Sequence, residues 1–493
     1  MSSQRPFSAT SQADLLTMSD QAAHRVMNSQ GTKSGQGVGW LMMSTILVES
    51  WDIYAISFLL VYIKHDFHPS ALMLGLTTSA VQLGGLFGAI FGGWLADRLG
   101  RRWVFVTTMV LFVLLAPLQG FVTEMWQLMV IRFLLGFPLS SDLASGYAYI
   151  MEAMPRGKRE VMGNRKQGMF AVGEVLAIAV ITTMMLAGVD HSLLWRIGLA
   201  LGALPALALL LGRMKITDTA PSLILRGKFH QAKKVSQVMF HDPLDMLPDQ
   251  DFRIKRPSTA NFLKSIWEDP VRRRASIFGW ISNAAQTASF GAFGFYLPTV
   301  ISLSGFSKNP VSTNLMTGAI YCLAAVSGFI GPQITSRIGH RGISQWGFGI
   351  SFVSLLVAAL ALQVNWGLLL LIAAAAMMWG QYWAGTNGMT VTAMVAPTRY
   401  KATACGFGYI FVKLGSAITL FLFPVLLEAT GTAAATAIVS LIALAGFLAA
   451  RYILPEVYGY VESEHMSQSR QPTEPQDGSI GPPGTLLQGR HAH

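Results

Sequence analysis

The sequence predicts an all-α membrane protein, with twelve transmembrane helices in two pseudo-symmetric six-helix bundles. Three observations carry that prediction. Only 12% of the 493 residues are charged while 52% are hydrophobic, against roughly a quarter charged in soluble proteins. That leaves too little polar surface to solvate a sphere of this size, which excludes a large soluble enzyme and any disordered or fibrous class. Apolar runs of membrane-crossing length come in two groups of six, divided by a basic segment. Loop sequences of the first group return in the second at a nearly constant offset.

The first group comprises 38–63, 71–96, 103–122, 126–151, 167–188 and 193–212, and the second 275–301, 311–335, 344–363, 366–394, 402–427 and 432–454. Each is long enough to cross roughly 30 Å of hydrocarbon at 1.5 Å per residue. No apolar stretch precedes Trp40, so no cleavable signal peptide is expected. The first run carries Glu49 and Asp52. The second leads into Gly92-Gly93-Trp94-Leu95-Ala96-Asp97-Arg98-Leu99-Gly100-Arg101-Arg102, and the eighth into Gly331-Pro332-Gln333-Ile334-Thr335-Ser336-Arg337-Ile338-Gly339-His340-Arg341. Arg98 and Arg337 stand 239 residues apart. The fourth run holds Arg132 and Asp142 and ends at Pro155-Arg156-Gly157-Lys158. The tenth ends at Pro397-Thr398-Arg399-Tyr400-Lys401, with Arg399 following Arg156 by 243 residues. The fifth carries Gln167 and Glu174, the seventh Gln286, the tenth Gln381 and Asn387, and the eleventh Lys413. Two joined repeats point to a rocking transporter with its site between the halves.

The predicted organisation is a cytoplasmic N-terminal segment (1–37), a six-helix bundle (38–212), a basic cytoplasmic linker (213–274), a second bundle (275–454) and a disordered cytoplasmic tail (455–493). Leu15, Leu16, Ala22, Ala23 and Val26 form an amphipathic set expected on the membrane surface, and Ala220–Phe240 reads as a second surface helix. The net charge of +11 collects between apolar runs, as topology requires, so no nucleic-acid partner is expected. With the linker inside, the inner loops own Arg98, Arg101, Arg102, Arg156, Lys158, Arg159, Arg337, Arg341, Arg399 and Lys401. The outer loops own Lys64, Lys308 and Arg196. That asymmetry places both termini in the cytoplasm of a multi-pass cell-membrane protein. Cys322 and Cys405 lie inside apolar runs, so neither a disulfide framework nor a zinc site is indicated.

Gly93–Arg102 resembles the loop signature G-x-L-A-D-R-x-G-R-R of the major facilitator superfamily, with a degenerate second copy one half later. Within it the chain resembles the phosphate:proton symporter and sugar-porter branches over most of 40–460. Glu49-Ser50-Trp51-Asp52-Ile53-Tyr54 is similar to the phosphate symporters' D-x-Y-D-x-F. Arg132-Phe133-Leu134-Leu135-Gly136, with Asp142 and Glu152 beyond, keeps their fourth-helix spacing. Arg156-Gly157 with Gln167 resembles their R-G…Q-G, and Pro397–Thr403 with Gly406, Lys413 and Gly415 resembles P-T-R-Y-R-A-T…G…K-x-G. Asp218–Ser222 with Arg226-Gly227-Lys228 is similar to the sugar porters' P-E-S-P-R…R-G-K, as are Ala285-Gln286 to their Q-Q pair and Phe295–Thr299 to their Y-Y-x-P-T. The departures are Leu143 for a Tyr, Ser282 and Gln286 for a Trp and an Asp, and Met394 for the Glu of P-x-E. The fifth run lacks the G-x-x-x-G-P of drug:proton antiporters.

Ionisable side chains inside a membrane span mark function, since centring one in hydrocarbon costs about 2.5–3.5 kcal/mol or more. Glu49 and Asp52, three apart, share a helix face, and two carboxylates so close do not both ionise easily. That suits proton coupling, or Glu49 is simply solvated among headgroups. Asp142 stands about 15 Å along the same face from Arg132, which then serves another acid or the outer vestibule. Asp142 is expected to face the midplane cavity, where the resemblance implies a proton carrier; a structural hydrogen bond is the alternative. Lys413 needs a counter-charge, supplied by an anionic substrate, as the resemblance implies, or by Asp142 or Asp52 across the cavity. Gln167 matches a substrate-binding position, with Gln286 and Asn387 lining the second half. Gly93, Asp97, Arg98 and Arg101 are expected to gate, again on the resemblance. With no G-x-x-x-x-G-K-[ST] to bind ATP, no cofactor and no metal, the expected function is proton-coupled import of a small anionic metabolite by a monomeric, non-enzymatic carrier. Its partners are the substrate, the proton and the lipid bilayer. The competing readings are a neutral sugar or polyol porter, a proton-antiport exporter, and a non-transporting receptor.

Overall fold

In a computed structural model of the chain, the structure describes residues 12–29, 33–154, 158–254, 260–307, 309–458 and 460. Arg156 and Gly157 of the fifth-helix motif, Lys308, the linker's Lys255 and Arg256, and the predicted tail beyond 460 lie outside the described residues. Every regular element among the described residues is helical.

The first-half helices are α1 Gln12–Asn28, α2 Lys33–Phe67, α3 Ala71–Leu99, α4 Arg101–Leu115, α5 Met125–Ala153, α6 Arg159–Asn164, α7 Lys166–Leu186, α8 His191–Ala200 and α9 Ala203–Arg213. In the linker follow α10 Ala220–Leu225, α11 Phe229–Phe240 and α12 Ala260–Glu268. The rest are α13 Pro270–Ser289, α14 Leu297–Leu303, α15 Pro310–Gln363, α16 Gly367–Val395 and α17 Lys401–Tyr452. Starts are set by side-chain oxygens that accept orphan backbone N–H groups. Ser70 accepts from Met73, Asp190 from Ser192, Asp269 from Val271 and Arg272, and Asn309 from Val311, the last two followed by a proline suited to the first helical position.

Among the described residues nine helical stretches are long and apolar enough to cross a membrane. Two of them exceed any bilayer: α15 has 54 residues, about 80 Å of helix, and α17 is nearly as long. Each is two crossings. Gly339 (φ 75°, ψ 172°) and Gly431 (φ 79°, ψ 168°) break the helical path with backbone that a side chain disfavours. The seventh crossing, α13 through α14, is not among the nine: α13 opens on Arg272, Arg273 and Arg274 and carries Ser282, Asn283, Gln286 and Thr287. Counted so, the crossings are twelve, as the sequence predicts.

Tight packing in the first half rests on α3 against α5. Gly84, Gly88 and Gly92 recur every fourth residue, and a Cβ on them would strike the Phe133 carbonyl, the Phe137 carbonyl and Ser141. Small residues in such a stripe let two backbones approach where lipid gives no hydrophobic drive.

Two surface-helix expectations need correction. Leu15, Ala22, Ala23 and Val26 of α1 are buried in one cluster with Leu223 and Ile224 of α10 and with α5 side chains, so the helix spends its apolar face on protein rather than lipid. Ala220–Phe240 is two helices, parted at Gly227 (φ 73°), whose carbonyl accepts from Phe252 N–H. Phe229, Ala232, Met239 and Phe240 turn inward as well.

Candidate functional site

A cavity of ≈ 740 Å³ of empty space, its mouth included, lies between α2, α3 and α7 on one side and α13 and α17 on the other. The wall is mixed: Tyr54, Phe170, Phe290 and Phe295 give it aromatic faces, and Gln82, Gln167, Gln286, Thr287 and Ser416 give it hydrogen-bonding groups. Gln167 and Gln286 approach each other at Gly385 of α16, where a Cβ would collide with both. Behind Phe290 the chain makes one wide π-helical turn, Phe290–Gly294. The carbonyls it displaces are taken up by side chains: Tyr321 Oη donates to Gly294 O at 2.9 Å and Ser57 Oγ to Phe295 O at 2.5 Å. Such turns place side chains at functional sites.

Among the described residues three charges face this cavity. Lys413 Nζ lies 2.5 Å from Glu49 Oε1, with both side chains buried. Gly85 leaves room for it, since a Cβ there would meet the Lys413 Cε at 3.0 Å. The third charge is Lys166, whose Nζ sits 5.8 Å from the Tyr147 ring centre and makes no ion pair within 4.0 Å among the described residues. Two ammoniums against one carboxylate leave a net positive charge.

The structure separates residues that the sequence groups together. Glu49 and Asp52 do not share a partner: Glu49 faces Lys413, while Asp52 turns toward Arg132. Arg132 Nη2 lies 3.8 Å from Asp52 Oδ2 and donates to the Asp52 carbonyl at 3.3 Å. Gln119 ties the two together, donating to Asp52 Oδ1 at 3.4 Å and accepting from Arg132 Nη1 at 3.2 Å. Asp52 Oδ2 has no hydrogen-bond partner. Asp142 does not line the cavity. Its oxygens accept from Arg213 Nη1 at 2.8 and 2.7 Å and from Thr108 Oγ1 at 3.0 Å, all within the first half. The expectation that it faces the midplane cavity is therefore corrected; a buried arginine from α9 holds it between helices of the first half. Lys413 pairs with neither Asp142 nor Asp52. Asn387 also stands apart from the cavity. Its amide donates to His340 O at 2.8 Å and Ser344 Oγ at 3.0 Å, and its oxygen faces His340 Nδ1 at 2.8 Å.

The halves touch on both sides of the cavity. On the linker side, Asp97 Oδ2 accepts from Thr403 N–H at 2.9 Å and Thr403 Oγ1 at 2.7 Å, at the N-terminus of α17 where helix dipoles favour a negative charge. Arg101 holds that carboxylate at 2.8 Å and Glu152 at 2.6 Å. Gly93 closes on the Ala402 carbonyl. Arg98, by contrast, is exposed and lies over the Trp94 ring at 4.2 Å. Tyr147 Oη meets Thr390 Oγ1 at 3.0 Å, and Asn164 donates to Asn387 at 3.4 Å. On the far side Tyr54 packs edge-on to Tyr321 and Phe290, at 5.8 and 5.9 Å between centres.

Sequence reasoning missed Lys166, Gln82, Tyr54, Tyr409 and Gln119. Lys166 opens α7 beside the recognised Gln167, and its place at the edge of an apolar run reads as a loop charge. Gln119 sits in a run otherwise apolar, the signal that could have exposed it.

Residues 13–466 match the sugar (and other) transporter family. Among curated relatives, the probable metabolite transport protein CsbC of Bacillus subtilis is 25% identical over 84% of this chain and 90% of its own. The inner membrane metabolite transport protein YgcS of Escherichia coli is 24% identical over 83% and 89%. The niacin transporter NiaP of Acinetobacter baylyi is 24% identical over 62% and 66%. Among solved structures, the partially occluded inward-open form of the E. coli xylose transporter XylE superimposes with a TM-score of 0.70 at 16% identity, covering 86% of this chain and 99% of that one. Twelve crossings, a polar cavity between halves and a match over nearly the whole helical region agree: the chain belongs to the sugar (and other) transporter family of the major facilitator superfamily, whose members are multi-pass membrane transporters and not enzymes.

Proposed function

We propose that this transporter imports a small organic anion together with protons, by alternating access between the halves 38–212 and 275–454, with the linker and both termini in the cytoplasm. One observation carries the anionic substrate: Lys413 and Lys166 face the cavity with, among the described residues, only Glu49 to balance them. A carboxylate arriving at Lys413 takes the place of Glu49, and the net charge of the filled cavity becomes neutral. Glu49, released, binds a proton or water until the substrate leaves. Gln167 and Gln286 hydrogen-bond the rest of the substrate, and the aromatic rings cover its apolar part.

Asp52 carries the coupling proton. It sits beside Arg132 at 3.8 Å, too long for a direct hydrogen bond, and its Oδ2, left without a hydrogen-bond partner, is the oxygen that takes the proton. A proton moving with a monovalent anion keeps the cycle electroneutral, whereas each net charge moved is worth ~2.3 kcal/mol per 100 mV. Asp97, Arg101 and Gly93 close the linker-side gate, and Arg98 serves topology. Asp142 and Asn387 act as structural residues.

The test is binding and proton-driven uptake by the reconstituted protein, with nicotinate, benzoate and lactate set against xylose and myo-inositol. Uptake of a monocarboxylate that collapses in Lys413→Gln is the expected result. A second reading has its own support, since three cavity glutamines (Gln82, Gln167, Gln286) suit hydroxyl groups and one relative is the major myo-inositol transporter IolT of B. subtilis. Uptake of xylose or myo-inositol that survives Lys413→Gln establishes that reading and overturns the first. Efflux driven by an inward proton gradient overturns both in favour of an exporter.

A further inference from the structure

Glu174, midway along α7, has no task in the mechanism above, yet its side chain is wholly buried. Tyr382 of α16, in the opposite half, donates its hydroxyl to Glu174 Oε2. The second oxygen, Oε1, has no hydrogen-bond partner. The titratable groups that feel its charge are all tyrosines: Tyr54 from α2, Tyr321 from α15 and Tyr382 from α16. Among the described residues no lysine, arginine or histidine is one of them, and α6 and α8, also packed on α7, contribute none. A carboxylate closed off this way faces only tyrosine hydroxyls and no cation. Burying an isolated ionised carboxylate is so costly that the group holds its proton instead. Asp142, Glu152 and Glu49 differ in kind, because each faces a cation at 2.5–2.8 Å.

The location gives that proton a consequence. Tyr382 and Glu174 belong to different halves, and the rings of Tyr54, Tyr321, Phe170 and Phe290 close around them. When α7 and α16 part, the tyrosine hydroxyl is withdrawn and water takes its place, so the carboxylate becomes affordable only in the open arrangement. We propose that Glu174 is a second proton site, in addition to Asp52, and that the two halves close around the cavity only with Glu174 protonated. The step is a plain proton exchange: the carboxyl O–H bond breaks, the proton passes to entering water, and the solvated carboxylate takes a proton back before closure. The inference rests on the proton-coupled reading for its purpose, but its test needs no substrate, so the two can fail separately.

Infrared difference spectra of the reconstituted protein decide the first part. A protonated-carboxyl band is expected at neutral pH, absent in Glu174→Gln and shifted in Tyr382→Phe, and it moves in D2O because opening exchanges the proton. A second measurement addresses closure. Spin labels at Leu186→Cys and Leu368→Cys, on the far ends of α7 and α16 and both exposed, are placed in a Cys322→Ser background. Alkaline pH should populate longer label distances in the otherwise native chain and leave Glu174→Gln unchanged. A band missing from the native protein, a band that never exchanges with D2O, or an alkaline opening equal in Glu174→Gln and the native chain overturns the inference.

Discussion

Replacing Glu49 by glutamine tests the anion site most directly. The change keeps the shape of the side chain and removes the only carboxylate that balances Lys413, whose Nζ it touches at 2.5 Å. In the native cavity an incoming carboxylate must displace Glu49 from a charge-assisted hydrogen bond worth about 1.5–3 kcal/mol. Without that competitor, monocarboxylate binding should tighten roughly 10–100-fold, at 1.4 kcal/mol per factor of ten. The empty protein should weaken in compensation, because breaking a buried pair from one side costs about 3–5 kcal/mol. Its thermal unfolding then falls, and saturating monocarboxylate restores it. Counterflow slows, since Glu49 no longer returns to Lys413 to expel the substrate. Calorimetric titration and unfolding of the purified protein read both effects. Carboxylate affinity that is unchanged or weaker in Glu49→Gln, or a gain shared equally by xylose and myo-inositol, would refute the reasoning.

Asp52→Asn should abolish accumulation driven by a pH gradient while counterflow at equal pH persists; loss of both shows that Asp52 is needed for binding or folding instead. Asp142→Asn strands Arg213 in a fully buried site and should lower stability by about 3–5 kcal/mol, read as a fall in Tm in detergent. A well-folded Asp142→Asn that has lost only proton coupling would return the carrier role to Asp142. Asp97→Asn weakens the cap on α17 by about 0.3–2 kcal/mol, so Cys405, buried beneath the linker-side contact, should react with thiol reagents from that side up to roughly 30-fold faster. Unaltered labelling would show that Asp97 does not hold the gate.

What could be read in the sequence follows from which forces act along the chain and which act across it. Apolar runs and basic loops are local, so all twelve crossings can be read from pattern, the seventh carrying Gln286 and Thr287 of the cavity wall. Gly339 and Gly431 end crossings that otherwise continue as helix, and the sequence already parts the apolar runs there, 311–335 from 344–363 and 402–427 from 432–454. Partner choice is a matter of the third dimension. Nothing in the spacing of Glu49 and Asp52 says that one meets α17 and the other α5. Arg213, at the edge of an apolar run, reads as a topology charge; only packing brings its guanidinium to Asp142. The same limit hid Lys166, whose ammonium turns inward over Tyr147 rather than out to headgroups.

The buried arginine and lysine pairs now sort by what a rocking cycle does to them. Arg132–Asp52, Arg213–Asp142 and Arg101–Glu152 each join helices of the first half and move as parts of one body. Their geometry can be fixed once, and two of them are tight, with contacts of 2.6–2.8 Å. The loose one is Arg132–Asp52 at 3.8 Å, the separation expected where a proton must come and go without unmaking the fold. Lys413–Glu49 alone among these pairs ties α17 to α2 across the cavity, so opening on either side strains it. A contact of that kind resists opening until something replaces it, because a separated buried pair leaves two uncompensated charges. A bound anion for Lys413 and entering water for Glu49 are the replacements that remove both penalties together. Substrate thereby loosens α2, the helix that also carries Asp52, so anion binding and the Asp52 proton act on one element.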